Sequence, residues 1–182
     1  MSRDEGVIER PHLLICMGMA GSGKAALARA IAARFELIML DANDFQPASN
    51  RLKLAGGMSL SDADRKPWMD AVCRRLDHLA IARRSCVLAH SALRRQDRDR
   101  LRSQRFGVSF INLLASRTVL KERLTGRKAH CLPLKLLNSQ LDDLQSPLVE
   151  ADVFPMDATL SPEALAERVV PLLDQSPAAI NA

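Results

Sequence analysis

The sequence predicts an α/β fold in which a mainly parallel sheet of five strands carries helices on both faces. Three observations lead to this prediction. Short apolar runs alternate along the chain with longer segments of helical spacing. A glycine-rich stretch, GMAGSGKA at 18–25, joins the first apolar run to the first helical segment. The 182 residues suffice for one such domain and are too few for two ordinary ones.

Five apolar runs are the predicted strands. In chain order they are His12–Met17, Glu36–Leu40, Ser85–His90, Val108–Leu114 and the VFPMDA segment at 153–158. A helical segment follows almost every run, and a strand that returns after a helical crossover pairs in parallel with its neighbour. The runs therefore predict one parallel sheet.

The segments between the strands supply the predicted helices. They are Lys24–Arg34, a long helix within 60–84, the arginine-rich segment 94–105, Ser116–Leu124, a helix at the end of 125–144, and Ser161–Leu173. Ser61 or Asp62 is expected to cap the long helix. The connection from Asp41 to Asn50 is polar and contains proline, which predicts a loop.

The ends of the chain are predicted to lie outside the folded domain. Residues 1–10 are polar and charged and are expected to form a disordered tail, as are residues 175–182 after the final helix. We therefore expect a single domain over residues 11–174. A basic turn near 123–135 is predicted to form a small lid over the site described below.

Composition is that of a soluble globular protein, with 47% hydrophobic residues and a net charge of +5. A moderate positive charge suits an anionic small molecule, or a weak nucleic-acid surface. No secretory signal or membrane span is recognised, and the four cysteines form no C-x-x-C pair, so reduced cysteines and a cytoplasmic location are expected. The cysteines are Cys16, Cys73, Cys86 and Cys131.

The stretch GMAGSGKA has the spacing of a phosphate-binding loop. Gly18, Gly23 and Lys24 fit the pattern G-x-x-x-x-G-K-[ST], with a strand before and a helix after. In such a loop, backbone N–H groups surround the phosphates and the lysine reaches the β- and γ-phosphates. This motif predicts a three-layer P-loop NTPase fold that binds ATP. The predicted nucleotide-binding residues of the loop are Gly18, Met19, Ala20, Gly21, Ser22, Gly23, Lys24 and Ala25.

Ala25 departs from the pattern, because a hydroxyl at this position coordinates Mg²⁺ between the β- and γ-phosphates. A methyl group removes one ligand and leaves the phosphate cradle intact. A water molecule could replace the oxygen, since Mg²⁺ normally keeps several waters. Both weakened catalysis and altered Mg²⁺ coordination are compatible with the sequence.

Four segments together resemble the gluconate kinase family of P-loop small-molecule kinases, which is related to shikimate kinase and the nucleoside monophosphate kinases. In order they are GMAGSGKA, LDANDFQPASNRLKLAGGMSLSDADRKPWM, HSALRRQDRDRLR and RLTGRKAHCLPLKLLNSQLDDLQSP. The resemblance spans roughly residues 13–170, and D-x-D-R-x-P-W is its most specific motif. It implies transfer of the ATP γ-phosphoryl group to the 6-hydroxyl of D-gluconate, with Mg²⁺ as cofactor.

The resemblance also implies roles for individual residues. Lys24 and Asp41 would be catalytic, with Asp41 orienting Mg²⁺ or its waters. Arg65 and Lys53 are candidates to contact the substrate carboxylate, and Arg65 is favoured because its guanidinium fork matches that group. Asp62 and Asp64 belong to the same motif, and the alternative to a functional role for them is capping of the following helix.

The basic turn resembles the lid of these kinases, which brings arginines over the phosphates. Arg123 and Arg127 are therefore expected to bind nucleotide, Arg127 is also a candidate catalytic residue, and His130 is expected to contact substrate. A solvated basic turn is the alternative for this segment.

Several positions depart from the family pattern. Asn43 replaces an aspartate of the substrate-binding loop, and an amide cannot act as a general base. Asp44 is the candidate to replace its catalytic role, while Asn43 is still expected to line the substrate site. The remaining departures are Gln46 for histidine, His90 for cysteine, Arg94 for lysine and Asp97 for tyrosine.

Three functions were weighed against these observations. The first is an active gluconate kinase, and the second is a related protein that binds nucleotide or sugar acid without efficient turnover. A nucleic-acid role for the arginine-rich helix is disfavoured, because two aspartates interrupt the charge and no aromatic platform lies nearby. The expected partners are therefore ATP and a sugar acid, with no nucleic acid and no membrane. A homodimer is left open.

Overall fold

The computed structural model describes residues 10–56, 58–125 and 134–174. One five-stranded sheet forms its centre, and every strand pairs in parallel with its neighbours. The spatial order of the strands is β2-β3-β1-β4-β5. Their bounds are His12–Gly18 (β1), Ile38–Asp41 (β2), Cys86–Ala89 (β3), Gly107–Leu114 (β4) and Val153–Asp157 (β5).

Helices connect the strands and cover both faces of the sheet. They are Lys24–Phe35 (α1), Ala48–Ala55 (α2), Asp62–Ile81 (α3), Arg95–Arg102 (α4), Arg117–Thr125 (α5), Leu134–Asp143 (α6) and Pro162–Asp174 (α7). A 3₁₀ helix, Ala42–Phe45, follows β2 directly. This architecture confirms the predicted α/β fold.

The central strand β1 divides the core into two layers. All seven of its residues are buried, as expected of a strand that neighbours cover on both faces. Leu13, Ile15 and Met17 join a cluster with α3, whereas Leu14 and Cys16 face α1 and α7. Alternate side chains of one strand therefore hold the helices of both outer layers.

The connection after β2 is more ordered than the predicted loop. Asp41 accepts a hydrogen bond from Asn43 N at 2.9 Å and so begins the 3₁₀ helix. Pro47 precedes α2, where its missing N–H costs nothing. The buried Asn50 then donates to the Asp64 carbonyl at 2.9 Å, which ties α2 to α3. The short, polar α2 depends on such tertiary contacts, and periodicity alone did not predict it.

Helix α3 is capped at its N-terminus by Ser61, one of the two residues predicted for this position. The Ser61 side chain accepts from Asp64 N, and the Asp64 carboxylate accepts from Ser61 N, which forms a capping box. Asp62 is the first helical residue, and its carboxylate pairs with Arg94. The cap is therefore Ser61, and the capping alternative holds for Asp64.

Several sequence-based expectations fall outside the described residues. The tails at 1–9 and 175–182, most of the predicted lid, Arg127, His130 and Cys131 all belong to this group. Cys16, Cys73 and Cys86 are buried free cysteines, and burial raises the pKa of the Cys86 thiol to about 12. Within the ranges 10–56, 58–125 and 134–174, no helix combines the length and apolarity needed to span a bilayer.

Candidate active site

Three glycines shape the loop between β1 and α1. Gly18, Gly21 and Gly23 have φ angles of 136°, 82° and 101°, which favour glycine. A Cβ on Gly18 would lie 2.8 Å from the Leu113 carbonyl oxygen, so this glycine lets the loop pack against β4. At Gly23 a Cβ would meet no atom within 4 Å and would point into open space. The loop therefore keeps a concave surface clear beside the start of α1.

The surroundings of this concave surface suit an anion. Helix α1 begins at Lys24, and its first N–H groups and dipole favour negative charge there. The Lys24 ammonium donates to the Met19 carbonyl at 2.9 Å and so crosses the loop. Gln140 of α6 accepts a hydrogen bond from Ala20 N at 2.6 Å, which links the loop to α6.

A cavity of about 230 Å³ opens from the loop along the carboxyl ends of β2 and β3. Ligands of open α/β sheets bind at this edge. Lys24, Asp41 and Arg65 all line the cavity, although they come from three separate elements. The other polar lining side chains are Arg29, Asn43, Gln46, Ser59, His90, Ser91, Ser139, Gln140 and Asp143.

Asp41 supplies a carboxylate to the cavity from the end of β2. Its Oδ1 accepts from Asn43 N, while no described group donates to Oδ2. Ala25 lines the same cavity, so the methyl group stands where the phosphate-loop pattern has a hydroxyl. Among the described residues, no group of three or more His, Cys, Asp or Glu side chains is arranged to hold a metal ion. One carboxylate fits Mg²⁺ whose remaining ligands are phosphates and waters.

Arg65 is held in a network at the far side of the cavity. Its Nη2 donates to Asp143 Oδ2 at 2.5 Å, and its Nε donates to the Leu60 carbonyl at 3.3 Å. Arg94 donates to Asp143 Oδ1 at 2.6 and 2.9 Å and also pairs with Asp62. The Arg65 guanidinium thus already recognises a carboxylate, and the network joins α3 to the end of α6.

Asp97 faces the same network from α4. The side chain is buried, with its carboxylate 4.0 Å from Arg65 Nη1. Burial raises the pKa of Asp97, and the positive charges of Arg65 and Arg94 oppose that rise. The position that holds tyrosine in the family pattern therefore holds a buried acid with a raised pKa in this chain.

Lys53 and Asp44 lie outside the cavity lining. The Lys53 ammonium donates to both Asp64 oxygens at 2.7 Å. This bond and those from Ser61 lower the pKa of Asp64 to about 2. Asp44 is exposed on the 3₁₀ helix. The structure does not bring Lys53 or Asp44 to the cavity, and their functional roles stay predictions.

The remaining predicted residues are divided between the cavity and its surroundings. Ala20, Gly21, Gly23, Lys24 and Ala25 line the cavity, as do Asp41, Asn43 and Arg65. Gly18, Met19 and Ser22 belong to the loop without lining the cavity, and Ser22 Oγ is buried. Arg123 donates to the Ala158 carbonyl at 2.8 Å, which joins α5 to the segment after β5.

Several cavity residues were not assigned a role from the sequence. Asp41 is the last residue of β2 and His90 comes directly after β3, so the rule that found Asp41 could also have found His90. Ser139, Gln140 and Asp143 come from α6, about 120 residues after the phosphate loop. Their spacing on an amphipathic helix carries no signal of the site that the fold builds around them.

The arginine-rich helix α4 has extensive partners within the chain. Arg98 is fully buried and donates to Glu150 and to three backbone carbonyls. Arg100 pairs with Asp70, and Arg102 pairs with Asp99, Glu150 and Asp152. These contacts give the arginines a structural role. The absence of nucleic-acid binding stays a prediction.

Comparisons with known proteins agree with this geometry. The protein family described as "AAA domain" matches residues 13–147. A sugar kinase from Janibacter sp. HTCC2649 superposes with a TM-score of 0.84 at 32% identity, over 95% of this chain and 99% of that one. The Mycobacterium tuberculosis APS kinase, at 17% identity and a TM-score of 0.69, covers 92% and 99% of the two chains and shares the fold.

Gluconokinases are among the relatives with substantial identity. The structure of a gluconokinase from Sinorhizobium meliloti 1021 has a TM-score of 0.78 at 31% identity, over 90% and 91% of the two chains. The thermoresistant gluconokinase of Escherichia coli (strain K12) is 35% identical over 80% of this chain and 84% of its own. The gluconokinase of Gluconobacter oxydans (strain 621H) is 32% identical over 88% of this chain and 90% of its own. With this identity over nearly complete chains and a phosphate loop facing an arginine-lined cavity, the chain belongs to the gluconokinase family.

Proposed function

We propose that this protein transfers the γ-phosphoryl group of ATP to the 6-hydroxyl of D-gluconate, forming 6-phospho-D-gluconate and ADP. The observation that carries the proposal is one cavity that joins the phosphate loop, Asp41 and Arg65. Phosphoryl transfer needs mainly positioning and charge stabilisation. The same cavity offers both, because a cationic phosphate cradle and a carboxylate-binding arginine lie at its two ends. Family membership supports the same reaction.

The phosphate loop suits the triphosphate of ATP. Gly23 leaves open space where a phosphate oxygen fits, and the first N–H groups of α1 favour an anion beside it. Lys24 lies across the loop and lines the cavity, so its charge is placed to stabilise the transferred group. We assign Lys24 the main catalytic charge among the described residues.

We assign Asp41 to Mg²⁺, directly or through a water molecule. Bound Mg²⁺ neutralises charge on the β- and γ-phosphates. The Asn43 N–H fixes the Asp41 carboxylate through Oδ1, which leaves Oδ2 for a water or the ion. Ala25 adds no ligand, so a water molecule would replace the missing hydroxyl oxygen on a bound Mg²⁺. Mg²⁺ commonly retains several waters in such sites.

We assign the acceptor to the end of the cavity near Arg65. The substrate carboxylate matches the guanidinium fork, which in this structure binds the Asp143 carboxylate. Asn43, Gln46 and Ser59 line the same cavity and offer amide and hydroxyl groups to the acceptor hydroxyls. The 6-hydroxyl oxygen attacks the γ-phosphorus, the bond from this phosphorus to the bridging oxygen breaks so that ADP leaves with the electron pair, and the hydroxyl proton passes to water.

Further features of the proposal rest on the sequence. We infer one domain over residues 11–174, with a lid near 123–135 that carries Arg123 and Arg127 over the bound nucleotide and brings His130 to the substrate. Closure of such a lid would exclude water from the transfer step. A cytoplasmic location and a homodimer also remain inferences from the sequence and the family.

Product identification with a Lys24→Met variant tests the proposed function. The wild-type protein, incubated with ATP, Mg²⁺ and D-gluconate, is expected to form 6-phospho-D-gluconate, as followed by ³¹P NMR and mass spectrometry. Lys24→Met is expected to lower kcat at least 100-fold, about the effect of removing one transition-state contact. Lys66→Met is the matched control, because Lys66 is exposed and pairs with Asp70 outside the cavity. Phosphorylation of another acceptor, with none of gluconate, would contradict the proposed substrate.

A further inference from the structure

His90 is buried at the edge of the cavity and is fixed by contacts on two sides. It follows β3, and its backbone N donates to the Cys16 carbonyl at 3.1 Å, extending the pairing with β1. His90 is one of the residues that line the cavity, and it is only 1% exposed. The Trp68 ring stacks on the imidazole with centroids 5.0 Å apart and planes at 23°. The stack fixes the orientation of the imidazole ring.

The hydrogen bonds of His90 define its tautomer. The backbone N–H of Ala92 donates to His90 Nδ1 at 2.8 Å, so Nδ1 is the acceptor. Burial, and then the positive charges of Lys24 and Arg65, lower the pKa of His90 to about 3. The imidazole is therefore neutral at physiological pH, and its single proton resides on Nε2.

The Nε2–H group has no hydrogen-bond partner among the described residues. A buried donor without a partner is unfavourable, since folding removes it from water without compensation. The surrounding cavity is the part that we assign to the acceptor, and the neighbouring Arg65 already provides for a carboxylate. A neutral N–H donor beside that arginine suits a hydroxyl oxygen.

We propose that His90 Nε2–H donates a hydrogen bond to a hydroxyl oxygen of the sugar acid and so selects the acceptor. This inference rests on the proposed gluconokinase function. His90 does not act as a base in it, because its Nε2 carries a proton at neutral pH. Its contribution is recognition of the acceptor, and it should act on the acceptor without changing recognition of ATP.

The test compares two substitutions at position 90. His90→Leu removes the donor at similar volume, whereas the amide of His90→Gln keeps an N–H near the Nε2 position. His90→Leu is expected to raise the KM for gluconate at least 10-fold, with the KM for ATP changed less than twofold. His90→Gln is expected to recover most of the lost affinity. An unchanged gluconate KM in His90→Leu, or equal losses for both substrates, would overturn the inference.

A control and a substrate series separate recognition from a general effect on folding. His12→Leu removes another buried histidine at the opposite end of β1 and is expected to leave both KM values unchanged. Gluconates lacking the 2-, 3-, 4- or 5-hydroxyl are then compared in the wild type and in His90→Leu. One analogue, which lacks the hydroxyl that His90 contacts, is expected to bind poorly to the wild type. His90→Leu is expected to bind this analogue no more weakly than the wild type does. If each of the four analogues lost the same affinity relative to gluconate in the wild type and in His90→Leu, a hydroxyl contact by His90 would be contradicted.

NMR provides a readout that does not depend on turnover. Long-range ¹H–¹⁵N spectra are expected to show His90 protonated on Nε2 from pH 5 to pH 8, with an Nε2 shift on addition of gluconate. A protonated Nδ1, or no shift on saturation with gluconate, would overturn the inference. Absence of gluconate turnover and binding in the wild type would overturn the proposed function together with this inference. An active wild type with a fully active His90→Leu overturns the inference alone.

Discussion

At the scale of single residues, the site combines positions that the sequence predicts with positions that only the fold reveals. Five of the expected residues meet around one cavity: Gly21, Gly23, Lys24, Asp41 and Arg65. Their motif spacing or their place at a strand end made them recognisable. Gln140 and Asp143 were not assigned, because they reach the site through contacts with residues 120 and 78 positions away. Contacts at such separations depend on helix packing, which local patterns do not encode.

Ala25 gives a prediction at this scale. Its methyl group lines the cavity, so a serine hydroxyl at the same position has space to reach Mg²⁺. Ala25→Ser is therefore expected to lower the Mg²⁺ concentration for half-maximal activity by about 10-fold, the loss typical of a metal-site contact. Initial rates measured against free Mg²⁺ test this. Ala33→Ser is the matched control, because it adds the same hydroxyl at an exposed position of α1 outside the cavity lining and is expected to leave the Mg²⁺ response unchanged. An identical response in Ala25→Ser and the wild type would contradict the role assigned to position 25.

At the scale of elements, ion pairs between helices and loops hold the acceptor end of the cavity together. Arg65 and Arg94 join α3 and α4 to the end of α6 through Asp143. Arg98 of α4 donates to the carbonyls of Ala92 and Leu93 and thereby fixes the segment after β3. The sequence predicted most of these elements from their periodicity. It left α2 and the 3₁₀ helix as a loop, because both are short and polar and their stability depends on tertiary contacts.

The buried pair of Arg98 and Glu150 gives a prediction on stability. The Arg98 side chain is fully buried, and Nη2 lies 2.5 Å from Glu150 Oε1. Arg98→Met leaves a largely buried carboxylate without its main partner and is expected to lower the free energy of unfolding by about 3–5 kcal/mol. Arg95→Met is the control, because the Arg95 side chain is 71% exposed. Arg95→Met is expected to lower the free energy of unfolding by less than about 1 kcal/mol, as is usual for an exposed ion pair. Urea unfolding at pH 7 measures both.

The pH dependence of this stability difference has a definite sign. The hydrogen bond from Arg98, assisted by Arg102, lowers the pKa of Glu150 from 4.5 to about 2. A carboxyl with a lowered pKa in the folded protein contributes its stability above the unfolded value and loses it as pH falls through the folded one. The difference in free energy of unfolding between the wild type and Arg98→Met is therefore expected to be complete at pH 7 and to become smaller below about pH 4.5. A difference that stays constant from pH 7 to pH 3 would contradict this account.

At the scale of the whole molecule, the order of strands brings the phosphate loop, Asp41 and His90 to the same edge of the sheet. β1 lies in the middle of the order β2-β3-β1-β4-β5, so its loop faces the ends of both β2 and β3. The alternation of strands and helices was sufficient to predict the fold class. The pairing order itself follows from packing of the entire chain, and no local segment of the sequence specifies it.

The central claim is that this chain is a working gluconokinase although Ala25 replaces the usual hydroxyl. The most direct measurement is ADP release from ATP and Mg²⁺ by the wild-type protein, with and without D-gluconate, together with ATP affinity. Our account predicts ATP binding and a rate of ADP release that depends on gluconate and saturates with it. Tight ATP binding without gluconate-dependent release would contradict the claim and indicate a binding protein that lacks the transfer step.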